Sequence, residues 1–189
     1  ISYFMVSPVS QTYQIDLGIP SAVAVSAVML GSIVNAGARL VLPTLADKVG
    51  RIVCIKGVLI VAVIAMGVLA VSRSLAVTVA VVLMYGCYGG IMGSFPSLTS
   101  SIFGMKHTGE NYGFVMFGIV FATFGAPAIS GLVSSNGYEM NVVFGIGAVF
   151  AVIAFVCLTL LGRNLVKEHA EKSVGAKKGT AQVRKPQAE

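Results

Sequence analysis

Charged side chains are scarce in this sequence. Lys, Arg, Asp and Glu make up 11% of the 189 residues, whereas apolar residues make up 56%. Soluble globular domains carry about 25% charged residues. This composition disfavours a soluble domain and predicts an integral membrane protein, in agreement with the mean hydropathy of +0.90.

The sequence also lacks the motifs of soluble enzymes. It has no Gly-x-Ser-x-Gly pattern and no phosphate-binding or dinucleotide-binding glycine loop. Its cysteines, Cys54, Cys87 and Cys157, show no Cys-x-x-Cys spacing, and its two histidines lie far apart. The apolar runs hold no paired polar groups suited to intramembrane catalysis. We therefore expect no enzyme activity, no catalytic residue, no metal site and no cofactor.

The apolar residues are grouped in long uncharged runs. The first covers residues 17–38, between Asp16 and Arg39, and four more cover residues 57–72, 74–105, 111–138 and 140–162. A helix needs ~20 apolar residues to cross the hydrocarbon core of a bilayer. With an error of several residues at each boundary, we predict five complete spans over residues 20–45, 52–71, 75–103, 111–133 and 141–161.

The ends of the chain differ from this bundle. We interpret residues 1–19 as the end of a truncated transmembrane helix and an outer loop, residues 20–162 as a five-helix transmembrane bundle, and residues 163–189 as a basic disordered cytoplasmic tail. Short loops rich in Lys and Arg stay in the cytoplasm, and only Arg73 among the basic residues falls on the opposite side. We expect a multi-pass protein of the plasma (inner) membrane with a cytoplasmic C-terminus. The net charge of +6 then reflects orientation and predicts no nucleic-acid partner.

Glycines are concentrated in the third span. Gly86, Gly89, Gly90 and Gly93 form two overlapping Gly-x-x-x-Gly spacings. Such spacings remove side chains from one helix face and let a neighbouring helix approach closely. We interpret them as packing within the chain rather than as a dimerisation surface.

A charged segment follows the first uncharged run and contains Arg39, Leu45, Asp47, Gly50 and Arg51. These residues resemble the cytoplasmic hairpin of the major facilitator superfamily, whereas Ala38 and Pro43 stand where the family pattern has glycine. The resemblance implies an all-α integral membrane fold that forms the C-terminal half of a transporter of this superfamily. This half has five complete transmembrane helices plus the end of a sixth. It also implies a missing N-terminal half of the same chain.

Four further motifs follow in the sequence: Tyr88-Gly89-Gly90, Phe95-Pro96-Ser97-Leu98-Thr99, Phe103-Gly104-x-Lys106 and Asn111-Tyr112-Gly113. They resemble the oxalate/formate antiporter family and its monocarboxylate-transporter relatives. The resemblance implies a secondary transporter that moves small organic anions across the lipid bilayer by alternating access, in exchange for another solute. The alternative is a transporter-like membrane protein that acts as a sensor or assembly partner without transport.

Arg39 is the main candidate for binding substrate. It lies eight residues before Asp47, which places it ~12 Å deeper in the membrane on a helix. A charge at that depth usually faces a water-filled cavity or a paired anion. A guanidinium binds a carboxylate through two parallel hydrogen bonds. Snorkelling toward the headgroups and pairing with Asp47 remain open as alternatives.

The resemblance adds further site residues. It implies that Tyr88 lines the cavity, with Met92 one turn further along; Asn35, Tyr85 and Tyr112 are weaker candidates, and packing is the alternative for each aromatic residue. Relatives that transport oxalate carry a second cation at the position of Ile119. Its absence here favours a monoanion such as formate or a small monocarboxylate. The resemblance also implies that Asp47, Gly50 and Arg51 form the gate.

Overall fold

The protein is all-helical over residues 1–183, which are the residues that the computed structural model describes. The seven helices are α1 (Ser2–Val6), α2 (Ser10–Asp16), α3 (Ser21–Val49), α4 (Arg51–Val71), α5 (Ala76–Phe103), α6 (Thr108–Ser135) and α7 (Met140–Val183). The described chain divides into two units, one ending at Phe155 and the other beginning at Val156. The packing and the site described below lie within the first unit.

Five of the helices are long and apolar enough to cross a membrane. They cover Ser21–Val49, Arg51–Val71, Ala76–Phe103, Thr108–Ser135 and Met140–Asn164. The predicted all-α membrane fold with five spans is therefore confirmed. Among these membrane-crossing segments, the largest difference in a boundary is at the end of the first, which was predicted at residue 45 and lies at Val49.

The first 19 residues form two short helices instead of one. Pro8 lies between α1 and α2, and proline supplies no backbone N–H with which to continue the hydrogen bonding of α1. Both helices are held in the bundle by buried side chains, among them Met5, Val6 and Tyr13. The interpretation of this segment as the end of a truncated span stays a prediction.

Helix α5 lies at the centre of the bundle and packs closely against α3. An added Cβ at Gly93 would lie 2.6 Å from the carbonyl oxygen of Arg39, and one at Gly86 would lie 2.9 Å from Val34 Cγ1. One at Gly89 would overlap the backbone carbonyl of Asn35. The glycine spacings of α5 therefore serve packing within the chain, where they bring the backbones of two spans into contact.

A single residue, Gly50, joins α3 to α4. Its φ of 103° lies in the left-handed region that favours glycine. The Gly50 N–H donates to the carbonyl oxygen of Ala46 at 2.9 Å, which completes the last turn of α3. The hairpin is consequently tight, and the charged residues at the end of α3 lie directly beside those that begin α4.

The other end of α4 belongs to a polar network between loops. Arg73 Nη2 lies 2.6 Å from Glu139 Oε2, so the α4–α5 and α6–α7 connections are joined. The Tyr13 hydroxyl lies 2.8 Å from Asn141 Oδ1 and 3.2 Å from the Leu69 carbonyl oxygen, the two acceptors within reach of its single O–H. This network ties α2 to the ends of α4 and α7.

Helix α7 extends beyond its apolar part. The membrane-crossing portion ends at Asn164, and the helix itself continues to Val183. The interpretation of residues 163–189 as a basic disordered cytoplasmic tail stays a prediction, although α7 covers part of that segment. Residues 184–189 of that predicted tail lie outside the described residues.

Candidate functional site

Arg39 extends from α3, and its guanidinium is oriented by Asn35 one turn earlier. Arg39 Nε donates to Asn35 Oδ1 at 3.2 Å, and Asn35 Nδ2 donates to the carbonyl oxygen of Tyr85 at 2.9 Å. The Asn35 amide therefore links the arginine to α5. Arg39 is exposed, and among the residues described it has no carboxylate partner.

Tyr88 lies next to this guanidinium. Arg39 Cζ is 6.0 Å from the centroid of the Tyr88 ring, at the outer limit of a cation–π contact. Arg39, Asn35 and Tyr88 were each predicted as substrate-binding residues, and the structure places them together on the facing sides of α3 and α5.

Two aromatic residues of α1 complete the surroundings of Tyr88. The Tyr3 ring stacks on the Tyr88 ring, with centroids 4.0 Å apart and planes within 3°, and the Phe4 ring meets Tyr88 edge-on at 5.6 Å. Tyr3 also meets Tyr85 edge-on at 5.3 Å. We refer to Tyr3, Phe4, Tyr85 and Tyr88 as the aromatic cluster.

Neither Tyr3 nor Phe4 was predicted to be a site residue. Both belong to the segment interpreted as the end of a truncated helix, and they are more than 80 positions from Tyr88 in the sequence. The available signal was the adjacent pair of aromatic residues in an otherwise short segment. Nothing in the sequence indicates which of the spans that pair contacts.

Met92 and Tyr112 are less closely connected to Arg39. Met92 lies one turn beyond Tyr88 on α5, Tyr112 lies near the start of α6, and both are partly buried. Within the described part of the chain, no hydrogen bond or ring contact joins either of them to Arg39. Their roles in binding stay predictions.

The hairpin residues form a separate charged group. Arg51 donates from Nε at 3.3 Å and from Nη2 at 3.2 Å to the same oxygen of Asp47, Oδ1. The pair spans Gly50 and is solvent-accessible, with 35% of the Arg51 side chain and 59% of the Asp47 side chain exposed. Asp47 thus pairs with Arg51. The alternative in which Asp47 pairs with Arg39 is not what the structure has.

Helix α6 supplies no cation to the region. The segment Thr108–Ser135 contains neither Lys nor Arg, and Ile119 on it is partly buried. Among the described residues, no group of three or more His, Cys, Asp or Glu side chains is close enough to hold a metal ion. The candidate site therefore consists of one cation, one amide and an aromatic surface.

Comparison with known proteins identifies the class to which this chain belongs. The sequence profile of the Major Facilitator Superfamily matches residues 1–187. The chain is a member of that family, a family of multi-pass membrane transporters, as the resemblance of its charged hairpin indicated.

Two curated relatives are similar to particular parts of the chain. An uncharacterized MFS-type transporter of Escherichia coli, YhjX, is 36% identical over 97 residues, which cover 50% of this chain and 24% of the relative. The oxalate:formate antiporter of Oxalobacter formigenes is 26% identical over 155 residues, which cover 80% of this chain and 37% of the relative. The chain thus spans about a quarter of the length of the first relative and somewhat over a third of the length of the second. No solved structure matches it significantly.

Proposed function

We propose that the full protein is a secondary transporter that exchanges small organic anions, such as formate or another monocarboxylate, by alternating access. The observation that supports this most directly is the state of Arg39. Its guanidinium is held by Asn35, lies beside Tyr88 and has no carboxylate partner among the described residues. Within a membrane-spanning helix, such a cation is costly unless an anion or water neutralises it.

The chemistry of Arg39 suits a carboxylate. A guanidinium presents parallel N–H donors that match the two oxygens of a carboxylate. The hydrogen bond from Nε to Asn35 uses one donor, so the terminal nitrogens stay free for the anion. The adjacent Tyr88 ring limits the space on one side, which favours a small and planar substrate.

We infer the charge of the preferred substrate from the lack of basic side chains on α6. A dianion requires two positive partners in a medium of low dielectric constant, where each unpaired charge carries a large penalty. Helix α6 has an apolar side chain, Ile119, at the position where the resemblance to oxalate transporters implies a cation, and it has no Lys or Arg elsewhere in Thr108–Ser135. We propose a monoanion on this ground.

We assign the regulation of access to the hairpin of Asp47, Gly50 and Arg51. The Asp47–Arg51 pair crosses the tight connection between α3 and α4, so a relative movement of these helices changes the geometry of the pair. The substrate cavity would be completed by an N-terminal half of the same protein, since the relatives are much longer than this chain. Met92 and Tyr112 would line that cavity further from Arg39.

The same proposal includes an orientation. Helices alternate in direction, so the α3–α4 hairpin, the α5–α6 connection and the end of α7 lie on one side of the membrane. Basic residues Lys48, Arg51 and Lys106 lie on that side, which favours a cytoplasmic location for it and for the C-terminus. We propose the plasma (inner) membrane as the membrane in which the protein is inserted.

The test is anion binding by the full-length protein in proteoliposomes. Arg39→Ala should abolish counterflow of labelled formate, lactate and pyruvate, whereas Arg39→Lys should retain part of it because the charge remains without the planar fork. Arg73→Ala is the matched control, because Arg73 lies in the loop at the opposite end of α4 and pairs with Glu139. Equal anion affinity in Arg39→Ala and the parent protein would overturn the proposal.

A further inference from the structure

Residues 3–10 are attached to α5 at three points around Tyr88. The Tyr3 ring stacks on the Tyr88 ring at 4.0 Å. The Tyr85 hydroxyl lies 3.4 Å from the Ser7 hydroxyl and 3.5 Å from the Ser10 hydroxyl. The N-terminal segment is therefore held against the part of α5 that faces Arg39.

The stacked pair differs from the other ring contacts in the aromatic cluster. The Tyr3 ring lies parallel to a face of the Tyr88 ring within 3°, whereas Phe4 meets Tyr88 edge-on at an interplanar angle of 74°. Aromatic pairs contribute attraction beyond the area that they bury. The Tyr3 ring is thus the contact most able to keep Tyr88 in one side-chain orientation.

Tyr88 in turn bounds the space beside the guanidinium. The distance of 6.0 Å between Arg39 Cζ and the Tyr88 centroid depends on the orientation of that ring. Arg39 is fixed from the other side by Asn35, whose amide reaches the backbone of Tyr85. If the Tyr88 ring turned, the arginine would keep its own tether and lose its aromatic neighbour.

We propose that Tyr3 is a positioning residue of the anion site: its stacked ring holds Tyr88 beside Arg39, so anion affinity depends on an aromatic ring at position 3. The inference rests on the proposed function for the identity of the ligand. The ring and not the hydroxyl carries the effect, because the contact with Tyr88 is made face to face by the ring. Tyr3 acts through Tyr88 and does not itself bind the anion.

Three variants of the full-length protein test this in proteoliposomes. Tyr3→Ala should raise the half-saturating concentration of formate or lactate about two- to tenfold, the range expected for the loss of one aromatic pair. Tyr3→Phe should keep the half-saturating concentration within about twofold of the parent value. Tyr138→Ala is the matched control, because Tyr138 is 62% exposed in the α6–α7 connection.

A double-mutant cycle distinguishes positioning from direct binding. If Tyr3 acts through Tyr88, Tyr3→Ala should have no further effect on affinity in a Tyr88→Ala background. Additive losses would overturn the proposal. So would a Tyr3→Phe variant as weak as Tyr3→Ala, since the hydroxyl would then be the active group, or a Tyr3→Ala variant with the parent's affinity.

A spectroscopic measurement tests the same inference without any ligand. 3-Fluorotyrosine introduced at position 88 should give a ¹⁹F resonance that stays single in Tyr3→Phe and that broadens or splits in Tyr3→Ala, because the Tyr88 ring then adopts more than one orientation. If the parent binds none of the anions but this resonance responds as expected, the proposed function fails and the positioning role stands. A resonance that stays single and narrow in Tyr3→Ala would overturn the positioning role itself, even if it shifts, because the loss of the Tyr3 ring current alone moves it.

Discussion

Replacement of Gly89 by alanine tests whether the closeness of α3 and α5 requires glycine. A Cβ at position 89 would overlap the backbone carbonyl of Asn35. A backbone atom has no rotamer to which it can move, so relief requires the two helices to separate locally. Overpacking of this kind destabilises a protein by about 1–3 kcal/mol.

Gly67 on α4 provides the matched control. It is also a helical glycine, and a Cβ added there meets no atom within 4 Å. Both substitutions gain the same advantage of alanine over glycine in a helix, about 0.5–1 kcal/mol. The difference between the two variants in the free energy of unfolding therefore isolates the overlap at Gly89, and we expect about 1–3 kcal/mol.

The measurement is the free energy of unfolding of the full-length protein in mixed detergent micelles, followed by the loss of helical circular dichroism as a denaturing detergent is added. Gly67→Ala should be as stable as the parent or slightly more so, and Gly89→Ala should be clearly less stable than Gly67→Ala. Equal stability of the two variants would refute the reasoning, because it would mean that α3 and α5 do not approach as closely as the glycines allow.

Three further substitutions address the hairpin and the opposite loop. Asp47→Asn should change the rate of counterflow by at most about fivefold, because the exposed pair with Arg51 is worth no more than ~1 kcal/mol. The intrinsic anion affinity should be retained. Gly50→Ala should destabilise the protein by about 1–2 kcal/mol in the same detergent titration, because alanine is strained at positive φ. Arg73→Ala should lower the unfolding free energy by less than ~1 kcal/mol, since its pair with Glu139 is exposed, and added salt should reduce the difference.

The spans could be predicted because a membrane imposes one strong constraint. A run without charge that is long enough to cross the hydrocarbon core has few alternatives to a spanning helix. The ends were less predictable, since the helix that begins at Ser21 continues past the predicted residue 45 to Val49 and ends only where Gly50 reverses the chain. Polar residues can extend a helix beyond the membrane without any apolar signal, as in α7.

The candidate site was predictable in part. Arg39 and Asn35 are one helical turn apart, so their contact follows from the sequence once α3 is recognised. The contribution of α1 did not follow, because the stacking of Tyr3 on Tyr88 joins positions far apart in the chain. Such a contact depends on how Pro8 interrupts the first segment and on where α2 packs in the bundle. Neither can be predicted from the spacing of apolar residues.

The glycines of α5 and the polar groups of the site meet at Asn35. Its backbone carbonyl is the group that a Cβ on Gly89 would strike, and its side chain links Arg39 to the carbonyl of Tyr85. A separation of α3 from α5 would lengthen the Asn35–Tyr85 hydrogen bond and move Arg39 away from Tyr88. Gly89→Ala should therefore weaken anion binding as well as stability, although Gly89 offers no side chain to a ligand. Loss of stability with anion affinity unchanged would show that helix packing and the position of Arg39 are independent.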